Sequence, residues 1–225
     1  MKKGMVIIVK EKNIIRRIAM ILAFYAINFG LWEVLVLFIS NEWASFGVYV
    51  VLFPVTFLLL GKHLKEEWKA FAISLKTNKY FLEELIVALI AYVILNGIVV
   101  GLASVCGLNM LPQNNENIST QLQSIPVYLT FIQTCIFAPI IEETTFRYSI
   151  IGQVEKENKL ILVILSMIAI VMFDAIHIFT FDEFFYYLAP AIVLTGFYIR
   201  RKSVIASIIL HSTLNVIGTL LLMVQ

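Results

Sequence analysis

The sequence predicts an all-α polytopic membrane protein of about seven transmembrane helices, and three observations carry that prediction. Hydrophobic residues make up 60% of the 225 and charged residues only 14%, with a mean hydropathy of +0.92. Soluble domains run near 45–50% apolar and about 25% charged. The apolar residues gather into stretches close to the roughly 20 needed to cross a bilayer. The 17 Lys and Arg residues sort to alternate connections between those stretches. This composition excludes an ordinary soluble domain and also a disordered chain. The net charge of +2 is small and spread along the chain, so nucleic acid is not an expected partner. Cys106 and Cys135 both lie inside apolar runs, which argues against a disulfide framework.

In chain order, the basic start Lys2–Arg17 leads into a first span at about 18–39. That run is too long for a signal-peptide core and lacks a small-residue cleavage site, so an uncleaved anchor is expected. A second span covers about 44–60. The following segment, Gly61–Glu84, places Trp68, Phe71, Ala72 and Leu75 at helical spacing among charged residues. It is expected to form an interfacial amphipathic helix near 62–84. A third span at about 85–108 is followed by Gln113–Gln123, a polar loop rich in Asn and Gln. The fourth span, about 127–152, is broken near its middle by Pro139, which removes a backbone donor. Spans at about 160–179, 184–199 (the shortest) and 204–224 complete the set. No connecting stretch is long enough for a separate folded domain and no internal repeat is visible. A single transmembrane domain over 1–225 is therefore expected, with residues 1–110 carrying no motif and 127–224 carrying the chemistry.

Orientation follows from the basic residues. Segments 1–17, 61–84, the end of the fourth span with its loop to 159, and 200–203 hold six, five, three and three of them, which is every Lys and Arg in the chain. The intervening segments 40–43, 109–126 and 180–183 hold none. The N-terminus is thus expected inside the cell and the C-terminus outside.

An ionisable residue inside a span costs roughly 2.5–3.5 kcal/mol on the insertion scale and marks a functional site by default. The candidates are Glu33, Glu142, Glu143, Arg147, Asp174, His177 and His211, with Asn96 and Asn215 as buried amides. Seven of these nine fall into three short groups in the C-terminal half. In the first, Glu143 and Arg147 are i, i+4 neighbours that can pair, while Glu142 points about 100° away and is free for chemistry. In the second, Phe173 shares a helical face with His177, and Asp174 stands three residues before the imidazole and can hold it. In the third, His211 and Asn215 lie one turn apart on one face, a pairing able to polarise a carbonyl or to bind a metal.

Each group is weak alone. In the order Glu-Glu-x-x-x-Arg, Phe-x-x-x-His, His-x-x-x-Asn, on the fourth, fifth and seventh spans, they resemble the signature of the CAAX-protease and bacteriocin-processing family, also called the CPBP or Abi family, of intramembrane endopeptidases. Every motif position is filled between Glu142 and Asn215. The resemblance implies a membrane-embedded protease in which Glu142 activates water with help from His177. His211 and Asn215 would face the developing oxyanion, with Glu143, Arg147, Asp174 and Phe173 as support. It implies a peptide or protein substrate at the bilayer: a prenylated tail, or in bacteria the leader of a bacteriocin or signalling peptide. High Ile, Lys and Asn content favours a bacterial plasma membrane and a peptide-processing or bacteriocin self-immunity role.

Glu142, His177 and His211 also make a plausible zinc set with an open fourth position, although the His-Glu-x-x-His pattern is absent. No obligatory metal is favoured. Simple counting along straight helices does not bring the three residues to one depth, so either tilt or an inward dip of Ile178–Tyr187 is required. The competing functions are a non-enzymatic scaffold or immunity protein that binds a partner, and a transporter or proton relay.

Overall fold

The computed structural model describes residues 14–77, 80–108, 113–152, 154 and 158–224. Among them every regular element is helical. We number the helices α1 (Ile14–Leu35), α2 (Asn41–Thr77), α3 (Phe81–Val105), α4 (Gln113–Ser124), α5 (127–151), α6 (Lys159–Ala175), α7 (Glu183–Arg201) and α8 (Val204–Met223). Four of these, α1, α2, α3 and α8, are long and apolar enough to cross a membrane by length and composition. The all-α polytopic class therefore holds, and four of the about seven expected spans meet that measure. The other three fall short of it for separate reasons. Helix α5 is interrupted by wider turns, α6 has 17 residues, and α7 carries Glu183, Arg200 and Arg201. Helix α7 turns Tyr187, Ala189, Ala191, Leu194 and Phe197 inward. A helix enclosed by protein does not need an apolar surface all round.

Two local expectations are corrected. The segment near 62–84 does not begin a separate interfacial helix, because α2 runs unbroken from Asn41 to Thr77. At 1.5 Å per residue that is roughly 56 Å, well beyond the hydrocarbon thickness of about 30 Å. The buried stripe Ala44, Val48, Leu52, Thr56, Leu60, Leu64, Phe71 continues past Gly61 without changing face, so nothing in the packing ends the helix there. Phe71 turns into the core against Phe81, at 5.1 Å between centroids, and Trp68 stays exposed. The polar stretch Gln113–Gln123 is helix rather than loop. Gln121 is buried there, donating to the Gln133 side chain at 2.6 Å and to the Glu42 carbonyl at 3.3 Å.

Arg17, Arg200, Arg201 and Lys202, from two of the expected inner segments, gather at one end of the bundle. Arg17 donates to the Ser149 and Ile150 carbonyls, each at 3.1 Å. Lys202 donates to the Val154 carbonyl at 2.8 Å, and Arg200 and Arg201 both pair with Glu84. Lys2, Lys3, Lys10, Lys12, Lys79 and Lys156 lie outside the described residues.

Helix α5 stops at the same end, at Gly152. Its φ of 62° and ψ of −147° belong to a region that L side chains essentially avoid. An added Cβ would also strike the Arg17 guanidinium, and the Gly152 carbonyl accepts from the Tyr198 hydroxyl at 2.9 Å. Gly152→Ala is therefore expected to destabilise the fold by about 1–3 kcal/mol, read as a lower unfolding temperature in detergent. An unchanged transition would mean that the chain end relaxes at no cost.

Candidate active site

The site is built on α5, whose backbone is irregular where the acids sit. Two π-helical stretches, Gln133–Phe137 and Glu143–Ile151, flank a short α-helical piece, Ala138–Glu142. Such stretches collect at functional sites because they re-aim side chains within a continuous helix. Pro139 has no N–H to offer the preceding turn. The carbonyl of Thr134, five residues earlier, accepts instead from Asn215 Nδ2 at 2.7 Å. The break expected at Pro139 is thus a change of helical pitch, and it ties α5 to α8.

Glu142 and Glu143 leave α5 in different directions. Glu143 is fully buried and takes three partners. Its Oε1 accepts from Arg147 Nη1 at 3.0 Å and lies 2.8 Å from His211 Nδ1, and its Oε2 accepts from the Ser207 hydroxyl. Arg147, equally buried, reaches the Ala191 carbonyl with its other terminal nitrogen and stands 4.2 Å above the Phe173 ring. Glu142 points to the other side. Its Oε1 accepts from the Tyr49 hydroxyl at 3.1 Å, and its Oε2 lies 3.8 Å from His177 Nε2 and 3.8 Å from His211 Nε2. The three residues that counting along straight helices kept apart are therefore together.

Two features make this convergence possible. Helix α6 ends at Ala175 rather than near 179, so His177 sits in the turn that follows. There its Nδ1 is 2.8 Å from the Phe173 carbonyl. The pitch changes in α5 rotate Glu142 toward α8. The aromatic rings Phe24, Phe146 and Phe173 pack edge to face behind the site, at 5.1 and 5.7 Å. Phe173 lies 4.6 Å from the His177 ring and 5.8 Å from the His211 ring.

The hydrogen bonds also assign the imidazole tautomers. A backbone carbonyl only accepts, so His177 carries its proton on Nδ1. A carboxylate likewise only accepts, so His211 Nδ1 donates to Glu143. In the neutral rings both Nε2 lone pairs are then directed toward Glu142 Oε2. Three acceptors converge at spacings too long for direct hydrogen bonds, leaving room for a molecule that donates to them. The His177 side chain is the most open of the three, 15% exposed against 6% for His211 and 2% for Glu142.

One expectation about support fails. Asp174 does not hold the imidazole of His177, because the Phe173 carbonyl takes that position. Neither oxygen of Asp174 has a hydrogen-bond partner among the described residues. Glu33 is exposed on α1. Three residues were not anticipated. Ser207 lies four positions before His211 on one face of α8, a spacing that sequence reasoning can find. Tyr187 stacks on His177 at 5.1 Å and 25°, and Tyr49 comes from the motif-free half; each is one aromatic among many.

The donor set of two imidazoles and a carboxylate is right in kind for zinc. Among the described residues, however, no group of three or more His, Cys, Asp or Glu is arranged closely enough to hold a metal ion.

Residues 124–217 match the family described as type II CAAX prenyl endopeptidase Rce1-like. That stretch contains all of the catalytic candidates and their partners on α5 to α8. Over that stretch the chain is similar to the CAAX-protease family. It is also similar to the UPF0177 protein YbdJ of Lactococcus lactis subsp. lactis (strain IL1403), 27% identical over 114 residues. That alignment covers 51% of this chain and 48% of the relative, so the chain spans about half the length of the curated relative it matches. No solved structure matches. Within the CAAX-protease match fall the two acids, Arg147, both histidines and Asn215, whereas α1–α3, with Tyr49 among them, lie wholly outside it.

Proposed function

We propose that this chain is a membrane-embedded endopeptidase that hydrolyses a peptide bond in a membrane-associated peptide or protein. The observation that carries the proposal is the convergence of Glu142 Oε2 with two imidazole Nε2 atoms at 3.8 Å each. A water seated among them donates to Glu142 and to His177, which aligns its oxygen for attack on the scissile carbonyl carbon. Glu142 takes the proton as the carbon–oxygen bond forms and delivers it to the leaving amine nitrogen. His211, held through Nδ1 by Glu143, stabilises the oxyanion when Nε2 also carries a proton, since the Glu143 carboxylate offsets the ring's charge. Asn215 spends one N–H on the Thr134 carbonyl and keeps a second for the same oxyanion. Arg147 and Ser207 hold Glu143 in place.

The basic end of the bundle faces the cytoplasm in this proposal, with the N-terminus inside, and the protein works in a bacterial plasma membrane. Its substrate is a bacterial peptide precursor or a toxin-like peptide rather than a prenylated tail. The supporting observations are the high Ile, Lys and Asn content and the similarity to a Lactococcus protein.

The deciding experiment compares the membrane-associated peptides of cells carrying the wild-type protein with those of cells carrying His177→Ala. New peptide termini that depend on His177 are expected; identical peptide sets at equal protein levels refute the proposal. Hydrolysis is expected to persist in a strong chelator. Activity lost to the chelator and restored by zinc alone would instead assign the converging triad to a metal.

A further inference from the structure

The two oxygens of Glu142 stand in different surroundings. Oε2 faces both imidazoles across a gap, while Oε1 is held directly by the Tyr49 hydroxyl at 3.1 Å. A phenol bonded to a carboxylate must donate, and donation to a charged acceptor is among the stronger and more directional hydrogen bonds. The phenol is itself held in place. Val48 and Leu52, on either side of it along α2, are buried in the core. Ser45, one turn before Tyr49 on the same face, accepts from Gln133 Nε2 at 3.0 Å. Gln133 in turn accepts from Gln121 at 2.6 Å. The rotation of α2 against α5 is therefore set by a polar contact one turn away, and Tyr49 meets Glu142 with little freedom.

We propose that Tyr49 is a positioning residue for Glu142, holding Oε1 so that Oε2 presents its lone pair to the reacting water. A carboxylate with no such partner rotates about its terminal torsion, which is soft and nearly two-fold. Through much of that rotation neither oxygen points at the gap between the imidazoles. This assignment gives the motif-free half of the chain a part in the reaction and rests on the endopeptidase proposal above.

The test uses the full-length protein in detergent or liposomes and a peptide containing a cleavage site found in the peptide comparison. Tyr49→Phe keeps the ring and removes only the donor. It is expected to lower kcat roughly 10–100-fold, the range in which losing a group that orients a reactive ligand falls. KM should stay within about twofold, with an unchanged unfolding temperature. In the Glu142→Asp background, where the shorter carboxylate has already withdrawn from the phenol, Tyr49→Phe should add little further loss. The assignment is overturned by a wild-type kcat in Tyr49→Phe, by a rise in KM at constant kcat, or by a full multiplicative loss in the double variant. A lower unfolding temperature together with the lower kcat also overturns it, since Tyr49 would then act through packing. A wild-type protein that cleaves nothing removes the endopeptidase proposal itself, a different result from an active wild type with an indifferent Tyr49.

Discussion

Glu142→Gln is expected to lower cleavage at least about 10³-fold while the protein still accumulates in the membrane, since a positioned general base contributes 10²–10⁴. The substitution is nearly isosteric. The side-chain carbonyl of Gln can still accept from Tyr49, so the α2–α5 contact survives. Only the ability to take a proton from water is removed. No charge partner is left stranded, because Glu142 makes no close ion pair with Arg147, whose short contact is with Glu143. Turnover of the cleavable peptide, measured at matched membrane protein levels, checks this. A Glu142→Gln enzyme with even a tenth of wild-type turnover would remove Glu142 from the base role.

Glu143→Ala is expected to fail in a different way, through loss of the folded protein. Glu143 and Arg147 are both fully buried and 3.0 Å apart, and the same carboxylate engages Ser207 and His211. Removing it leaves a guanidinium uncompensated in the interior, which costs roughly 3–5 kcal/mol. That is a large fraction of the roughly 5–15 kcal/mol that separates folded from unfolded chains in general. The expected readout is a much lower unfolding temperature and poor accumulation, with activity lost as a consequence. Because replacing both members of a buried pair by apolar residues is often neutral or better, Glu143→Leu with Arg147→Met should recover stability but not cleavage, His211 having lost its anchor. A stable but inactive Glu143→Ala protein would contradict this division and give Glu143 a part in the chemistry. Neighbouring carboxylates are thus expected to separate: one variant folds and does not cut, the other does not fold.

The helical nature of the chain and most residues that the fold gathers at the candidate site are legible in the amino-acid sequence, for reasons that can be named. In so apolar a chain each buried charge carries a transfer cost that only a partner or a function offsets, so Glu142, Glu143, Arg147, His177 and His211 stand out. Pairs one helical turn apart, such as Glu143 with Arg147, follow from the 3.6-residue repeat alone. The same logic misleads where local spacing does not decide the contact. Asp174 has the right spacing to hold His177, but α6 ends between them and the imidazole turns to a backbone carbonyl instead. The charged run after Gly61 has the pattern of an interfacial helix, yet α2 continues through it because its buried stripe finds a core to pack against.

What the sequence determined by itself is therefore the membrane-helical class, the family resemblance and the chemical types gathered in the motifs, since these depend on composition and on spacing within single helices. What only the tertiary structure decided is the convergence of Glu142 with both histidines, the anchoring of His211 by Glu143, and the presence of Tyr49 beside Glu142. Those depend on how each helix is rotated and shifted against its neighbours. That register is set by packing between distant segments, Tyr49 and Glu142 being 93 residues apart in the chain, which no pattern within one helix records.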